Sequence, residues 1–136
     1  MAGIRILLVD DHSVVLSGLQ KFMLVNRDLV TVGVATDGAE AVQMAELHKP
    51  DVILMDLLMP GMDGVAATRE IHSRNPEVKV IALTSFAELN MVPMALQAGA
   101  VGYLEKNVTA VELRNAICCA YAGEYVTARL ADPMVG

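Results

Sequence analysis

Carboxylate, hydroxyl and amine side chains fall at the ends of short apolar runs throughout this 136-residue chain. Asp10 and Asp11 close Ile4-Arg5-Ile6-Leu7-Leu8-Val9, and Asp56 closes Val52-Ile53-Leu54-Met55. Thr84 and Ser85 close Val78-Lys79-Val80-Ile81-Ala82-Leu83, and Lys106 comes just after Val101-Gly102-Tyr103-Leu104. Each alone has a bland reading: Asp-Asp before a helix caps it, a strand-end Thr is structural, and a lone Lys is a solvated charge. Gathered in one place they could do chemistry. Three carboxylates in contact repel one another by on the order of several kcal/mol unless neutralised. A hard cation such as Mg²⁺, taking carboxylate and carbonyl oxygens, is the natural remedy, with Lys106 as a further positive charge. The same charges would balance an incoming phosphoryl group and make Asp56 a carboxylate nucleophile that forms an acyl phosphate. The Thr84 hydroxyl could then donate to a phosphoryl oxygen.

The elements needed to gather these residues are legible. The four runs above, together with Val30-Thr31-Val32-Gly33-Val34-Ala35, are strand-length and continuously apolar, as a parallel sheet covered on both faces requires. Helical stripes lie between them: Val15, Leu19 and Phe22 widened by Leu16 and Met23; Ala41, Val42 and Ala45; Ala67 and Ile71; Val92 and Leu96; Leu113, Ile117 and Ala120. Asp37-Gly38 leads into the second helix, Lys49-Pro50-Asp51 follows it, Asn75-Pro76 ends the third and Gly99 the fourth. Five strands alternating with five helices predict an α/β fold, a doubly wound (βα)5 unit with right-handed crossovers. Ligands of such sheets bind beyond the carboxyl ends of the strands, where strand order reverses, which is where these side chains fall.

Composition narrows the function. Hydrophobic residues make up 54% and charged residues 19%, enough for a substantial single core. No apolar run nears the ~20 residues that cross a bilayer, and the first residues lack a signal peptide's apolar core, so no membrane role and a cytoplasmic location are expected. A net charge of −6 argues against gripping nucleic-acid phosphates. Cys118 and Cys119 are helical neighbours that point apart and match no zinc spacing, so they are expected as free apolar residues.

Four separated motifs carry a family resemblance: Leu8-Val9-Asp10-Asp11-His12; Asp56-Leu57-Leu58-Met59-Pro60-Gly61-Met62-Asp63-Gly64; Leu83-Thr84-Ser85; and Gly99-Ala100-Val101-Gly102-Tyr103-Leu104-Glu105-Lys106. Together, from about Ile4 to Tyr121, they resemble the response-regulator receiver domains of two-component signalling. The resemblance implies the flavodoxin-like strand order 2-1-3-4-5, a receiver over residues 1–122, and a tail over 123–136. It implies that Asp56 is phosphorylated, that Asp10, Asp11, Asp56 and the Leu58 backbone carbonyl hold Mg²⁺, and that Lys106 contacts the phosphate. Thr84 and Tyr103 become the switch pair, Tyr103 turning inward as Thr84 moves toward the phosphate. A sensor histidine kinase is the implied phosphodonor, and the protein catalyses only its own phosphorylation and dephosphorylation.

Asp11-His12-Ser13, Tyr103-Leu104 and the long last helix are similar to the NarL/LuxR-type subfamily, in which phosphorylation drives homodimerisation and a helix-turn-helix domain binds DNA. No helix-turn-helix lies within these residues, so the tail reads as the start of a linker to one, or the receiver acts alone through protein–protein contacts.

Two positions depart from the family pattern. Asn107 stands where many receivers carry a cis-linked proline, and a trans or rearranged turn is expected. Pro93 falls within the expected fourth helix, where an interior proline costs ~3 kcal/mol, so that helix should begin at Pro93 or be irregular before it. His12, next to the acidic pair, could touch the site but reads first as a partly exposed helix-start residue, and His48 and His72 read as solvent-side. A magnesium-dependent phosphatase would need an acid/base Asp two residues after Asp56, where Leu58 stands. A non-phosphorylated pseudo-receiver would have lost Asp56, Lys106 or the acidic pair. A flavin carrier would need a hydroxyl-rich phosphate loop where Asp10 and Asp11 would repel the phosphate.

Overall fold

The computed structural model describes residues 3–124, so most of the tail read as a linker lies outside the described residues. Strands β1 (Ile4–Val9), β2 (Leu29–Ala35), β3 (Val52–Asp56), β4 (Lys79–Thr84) and β5 (Gly102–Glu105) alternate with helices α1 (Ser13–Val25), α2 (Gly38–His48), α3 (Gly64–Arg74), α4 (Val92–Ala98) and α5 (Ala110–Tyr121). All strand pairs are parallel, in the order β2-β1-β3-β4-β5. This is the expected doubly wound fold and strand order. Alternation along each strand divides the core into two layers. Leu7, Val9, Ile53 and Met55 join residues of α2, α3 and α4, whereas Ile6, Leu8, Val52 and Leu54 join α1 and α5. Burying each such aliphatic side chain contributes ~1.5–3 kcal/mol.

The helices begin and end where the punctuation places them. Asp37 accepts from the Glu40 amide at the start of α2, Asp63 from the Ala66 amide at the start of α3, and Thr109 and Glu112 form a reciprocal capping box on α5. Gly99 ends α4 with φ 121°, a conformation that favours glycine. Pro93 is tolerated because α4 starts at Val92, which places the ring in the first turn where its missing amide costs nothing; a 3-10 segment, Phe86–Met91, precedes it. The described residues contain no cis peptide bond, so the turn at Asn107 is trans. Cys118 and Cys119 are free and half-buried.

Three packing expectations change. On α1 the buried residues are Leu16 and Met23, while Val15, Leu19 and Phe22 are only half-buried, because they line an open groove of about 300 Å³ shared with Val108 and Leu113 beside α5. On the seven-residue α4 the buried side is Val92, Ala95 and Ala98, at spacings of three, which leaves Leu96 exposed. His48 is half-buried rather than solvent-side: β2 has no side chain at Gly33, and the Met44 and His48 side chains occupy that space. His72 is exposed, and its ring lies over Gly99.

Candidate functional site

Because β1 and β3 are neighbours and β3, β4 and β5 follow in order, their carboxyl ends form one continuous edge. The first crossover runs from β1 out to β2 and the next returns to β3, so strand order reverses between β1 and β3, and Asp10 and Asp56 flank that point. Asp10 is held by its amide, which donates to the Ala35 carbonyl at the end of β2. Asp56 is the last residue of β3 and Thr84 the last of β4. The Lys106 amide donates to the Thr84 carbonyl at 2.8 Å, extending the β4–β5 ladder by one step and seating the base of the lysine.

The loop between β3 and α3 folds back onto this edge. The Gly64 amide donates to the Leu57 carbonyl, and the Gly38 amide at the start of α2 donates to the Met62 carbonyl. A Cβ at Gly64 would strike the Asp56 carbonyl, and one at Gly38 would strike the Met62 carbonyl. Both positions therefore require glycine for close backbone approach.

Asp10, Asp56 and Thr84 are fully buried. The Lys106 ammonium lies 3.0 Å from Asp56 Oδ1 and 3.1 Å from Asp10 Oδ2, bridging the two carboxylates. The Leu58 amide reaches Asp56 Oδ1 at 3.4 Å, a long bond, while the Leu58 side chain is exposed. Asp10 Oδ1 accepts from the His12 amide at 2.8 Å and lies 2.9 Å from His12 Nδ1, which is also 3.2 Å from Asp11 Oδ1. Asp56 Oδ2 is left buried without a hydrogen-bond partner, and buried Asp10 Oδ2 has only the ion-pair contact with the Lys106 ammonium.

Burial pushes the Asp56 carboxyl up to about 6, and the Asp10 charge adds to this against the opposing pull of the Lys106 ammonium and the Leu58 amide. Burial works to lower the Lys106 ammonium, but Asp56 and then Asp10 outweigh it and hold the amine above its ordinary value. The His12 imidazole is raised by its hydrogen bond to Asp10 and by the charge of Asp11.

The acidic pair does not cap α1. The N-cap is His12 and no side chain bonds the first turn, so the bland reading of Asp10 and Asp11 fails. Asp10, Asp11, His12 and Asp56 can each turn one ligand atom to within 4.8 Å of the others. Three carboxylates, two of them with a buried oxygen that lacks a hydrogen-bond partner, fit a divalent cation.

Of the expected site residues, Asp10, Asp11, Asp56 and Lys106 converge. Thr84 is buried at the same edge, but its hydroxyl donates to the Ser85 carbonyl at 3.0 Å instead of turning to Asp56. Tyr103, beside Ala82 in register, is half-buried against the layer of α2, α3 and α4. His12 is the exposed helix-start residue expected, and it also makes the contact with the site that the sequence ranked second. Its adjacency to the acidic pair was the available signal, but only α1's entry angle brings the ring over both carboxylates.

The family model for the response regulator receiver domain matches residues 6–118. The transcriptional regulatory protein LiaR of Bacillus subtilis is 46% identical over 121 residues, covering 89% of this chain and 57% of LiaR. The response regulator protein VraR of Staphylococcus epidermidis is 42% identical over 124 residues, covering 91% and 59%. The chain thus spans less than two thirds of the length of these curated relatives. Among solved structures, the signal receiver domain of NarL from Mycobacterium tuberculosis superimposes with a TM-score of 0.86 at 32% identity, covering 91% of this chain and all of that one. A LuxR-family response regulator from Aurantimonas sp. SI85-9A1 gives 0.86 at 30% identity, covering 99% and 100%. These likenesses and the acid-and-lysine edge built up from the residues agree, and the chain belongs to the response regulator receiver domains of two-component systems, in their NarL/LuxR-type subfamily.

Proposed function

We propose that this receiver accepts a phosphoryl group on Asp56 from a sensor histidine kinase, in the cytoplasm, in a reaction that requires Mg²⁺. The observation that carries this reading is the Lys106 ammonium bridging Asp56 and Asp10, beside two buried carboxylate oxygens that lack hydrogen-bond partners. At neutral pH a carboxyl raised to about 6 is mostly ionised and therefore nucleophilic. An Asp56 oxygen attacks the phosphorus in line, the bond from phosphorus to the donor breaks, and the donor leaves with that electron pair. Lys106 balances charge on the transferred group and the Thr84 hydroxyl turns from Ser85 to donate to it. Asp10, Asp11, Asp56 and the Leu58 carbonyl would hold the cation, which supplies the remaining charge neutralisation. The chain catalyses only the gain and loss of its own phosphoryl group.

The switch then runs through Thr84 and Tyr103, and its output is homodimerisation that controls a DNA-binding domain elsewhere in a longer regulator. The greater length of the curated relatives supports that arrangement, with the residues after 122 serving as linker. Intact-mass spectrometry after incubation with acetyl phosphate should show one added phosphoryl group only when Mg²⁺ is present, and none on Asp56→Asn. Wild-type labelling of that variant would remove Asp56 as the acceptor.

A further inference from the structure

His12 is not used by the reaction described above, yet its ring belongs to the same cluster. The side chain is 60% exposed, and nothing in the packing forces it inward. Its Nδ1 nevertheless faces Asp10 Oδ1 at 2.9 Å and Asp11 Oδ1 at 3.2 Å, and it counts with Asp10, Asp11 and Asp56 among four ligand atoms that fall within 4.8 Å of one another. Asp10 Oδ2 and Asp56 Oδ2, on fully buried side chains, have no hydrogen-bond partner within the same cluster. The set is therefore three carboxylates and an imidazole nitrogen, rather than oxygen alone.

A nitrogen donor changes which cation such a set prefers. Mg²⁺ is hard, takes oxygen and keeps its waters, so a nearby imidazole adds little to its binding. Mn²⁺, Co²⁺ and Zn²⁺ accept mixed imidazole and carboxylate sets, with affinities that follow geometry and donor type. Resting on the reading of Asp10, Asp11 and Asp56 as a cation site, we propose that His12 Nδ1 is an additional ligand when this site holds a borderline divalent transition metal in place of Mg²⁺. The ring needs no large movement, because the nitrogen that now faces two carboxylate oxygens would face the cation those oxygens share. As the N-cap of α1 without a side-chain cap bond, His12 is also replaceable without loss of a helix contact.

Calorimetric titration of the metal-free chain with Co²⁺ and, separately, Mg²⁺ tests this, together with the visible absorption of the bound Co²⁺. His12→Asn and His12→Phe should each weaken Co²⁺ by roughly tenfold or more, leave Mg²⁺ within about twofold, and alter the Co²⁺ spectrum. Equal changes for the two metals, or a Co²⁺ affinity and spectrum unchanged in both variants, would overturn the ligand role of His12 while leaving the Mg²⁺ site standing. Absence of Mg²⁺ binding to the wild type, or Mg²⁺ binding unaffected by Asp56→Asn, would overturn the cation site itself and this inference with it.

Discussion

At the scale of single residues, the site is a balance between burial and charge. Asp56 is fully buried and its carboxyl is raised to about 6, so the metal-free fold holds the Asp56 proton more tightly than the unfolded chain does. A raised folded pKa means that this stabilisation is complete below the unfolded value, about 4, and is lost as pH rises through about 6. The metal-free wild type should therefore lose about 2 kcal/mol relative to Asp56→Asn between those two values. The imidazole of His12, also raised, contributes in the same direction at higher pH, because its attraction to Asp10 and Asp11 fades as it deprotonates. Urea denaturation of both proteins at pH 4, 6 and 7.5 measures the difference, and adding Mg²⁺ at pH 7.5 should stabilise the wild type far more than the variant. A wild type and variant that track each other across this range would show that Asp56 carries no burial penalty.

At the scale of elements, two contacts decide how the site is held and how it reports. The Gly38 amide at the start of α2 grips the Met62 carbonyl, in the loop that carries Leu58, and a methyl group at position 38 would collide with that carbonyl. Gly38→Ala should destabilise the fold by about 1–3 kcal/mol and weaken Mg²⁺, since the Leu58 carbonyl would move with the loop. Gly18→Ala, where an added Cβ meets nothing within 4 Å, is the matched control. Thermal unfolding with and without Mg²⁺ separates the two effects. The second contact is the Thr84 hydroxyl on the Ser85 carbonyl, which also accepts the Glu88 amide and so anchors the 3-10 segment before α4. If Thr84 turns to a phosphoryl group as proposed, that anchor would lose one donor, and Tyr103 on the next strand should change its packing. Hydrogen exchange over residues 87–104 should respond to beryllium fluoride in the wild type and stay unchanged in Thr84→Ala, which keeps the acceptor and cation ligands. A full response in the variant would place the switch on another route.

At the scale of the whole molecule, the chain carries a net charge of −6, and the described residues form the receiver sheet and its helices with no helix-turn-helix among them. The chain should not bind DNA sequence-specifically, phosphorylated or not. Phosphorylation is expected instead to promote self-association, through the groove between α1 and α5 or the region of the 3-10 segment and α4, where Phe86, Met94 and Leu96 are exposed. Like-charged partners with a modest apolar contact associate weakly at rest. Sedimentation should show a monomer that becomes a dimer, with a dissociation constant on the order of micromolar, when beryllium fluoride is added. A monomer under both conditions would redirect the output to contacts with a different protein or domain.

The sequence determined the sheet, its two-layer core and the edge on which the chemistry gathers. The reason is local: continuous apolar strands, capped helices and short crossovers allow few topologies, and the doubly wound arrangement sends the residue after each strand to the same edge. Asp10, Asp56, Thr84 and Lys106 needed nothing more to be found. Tertiary structure alone decided what depends on the angle between elements. The entry of α1 lays His12 over the acidic pair, and the start of α2 supports the loop after β3. The placement of α1 beside α5 leaves Val15, Leu19 and Phe22 in an open groove, and the shortness of α4 turns Leu96 outward. The Thr84 hydroxyl faces the Ser85 carbonyl, and Lys106 reaches Asp10 and Asp56 while leaving Asp56 Oδ2 without a hydrogen-bond partner, through distances of a few ångströms that no local pattern encodes.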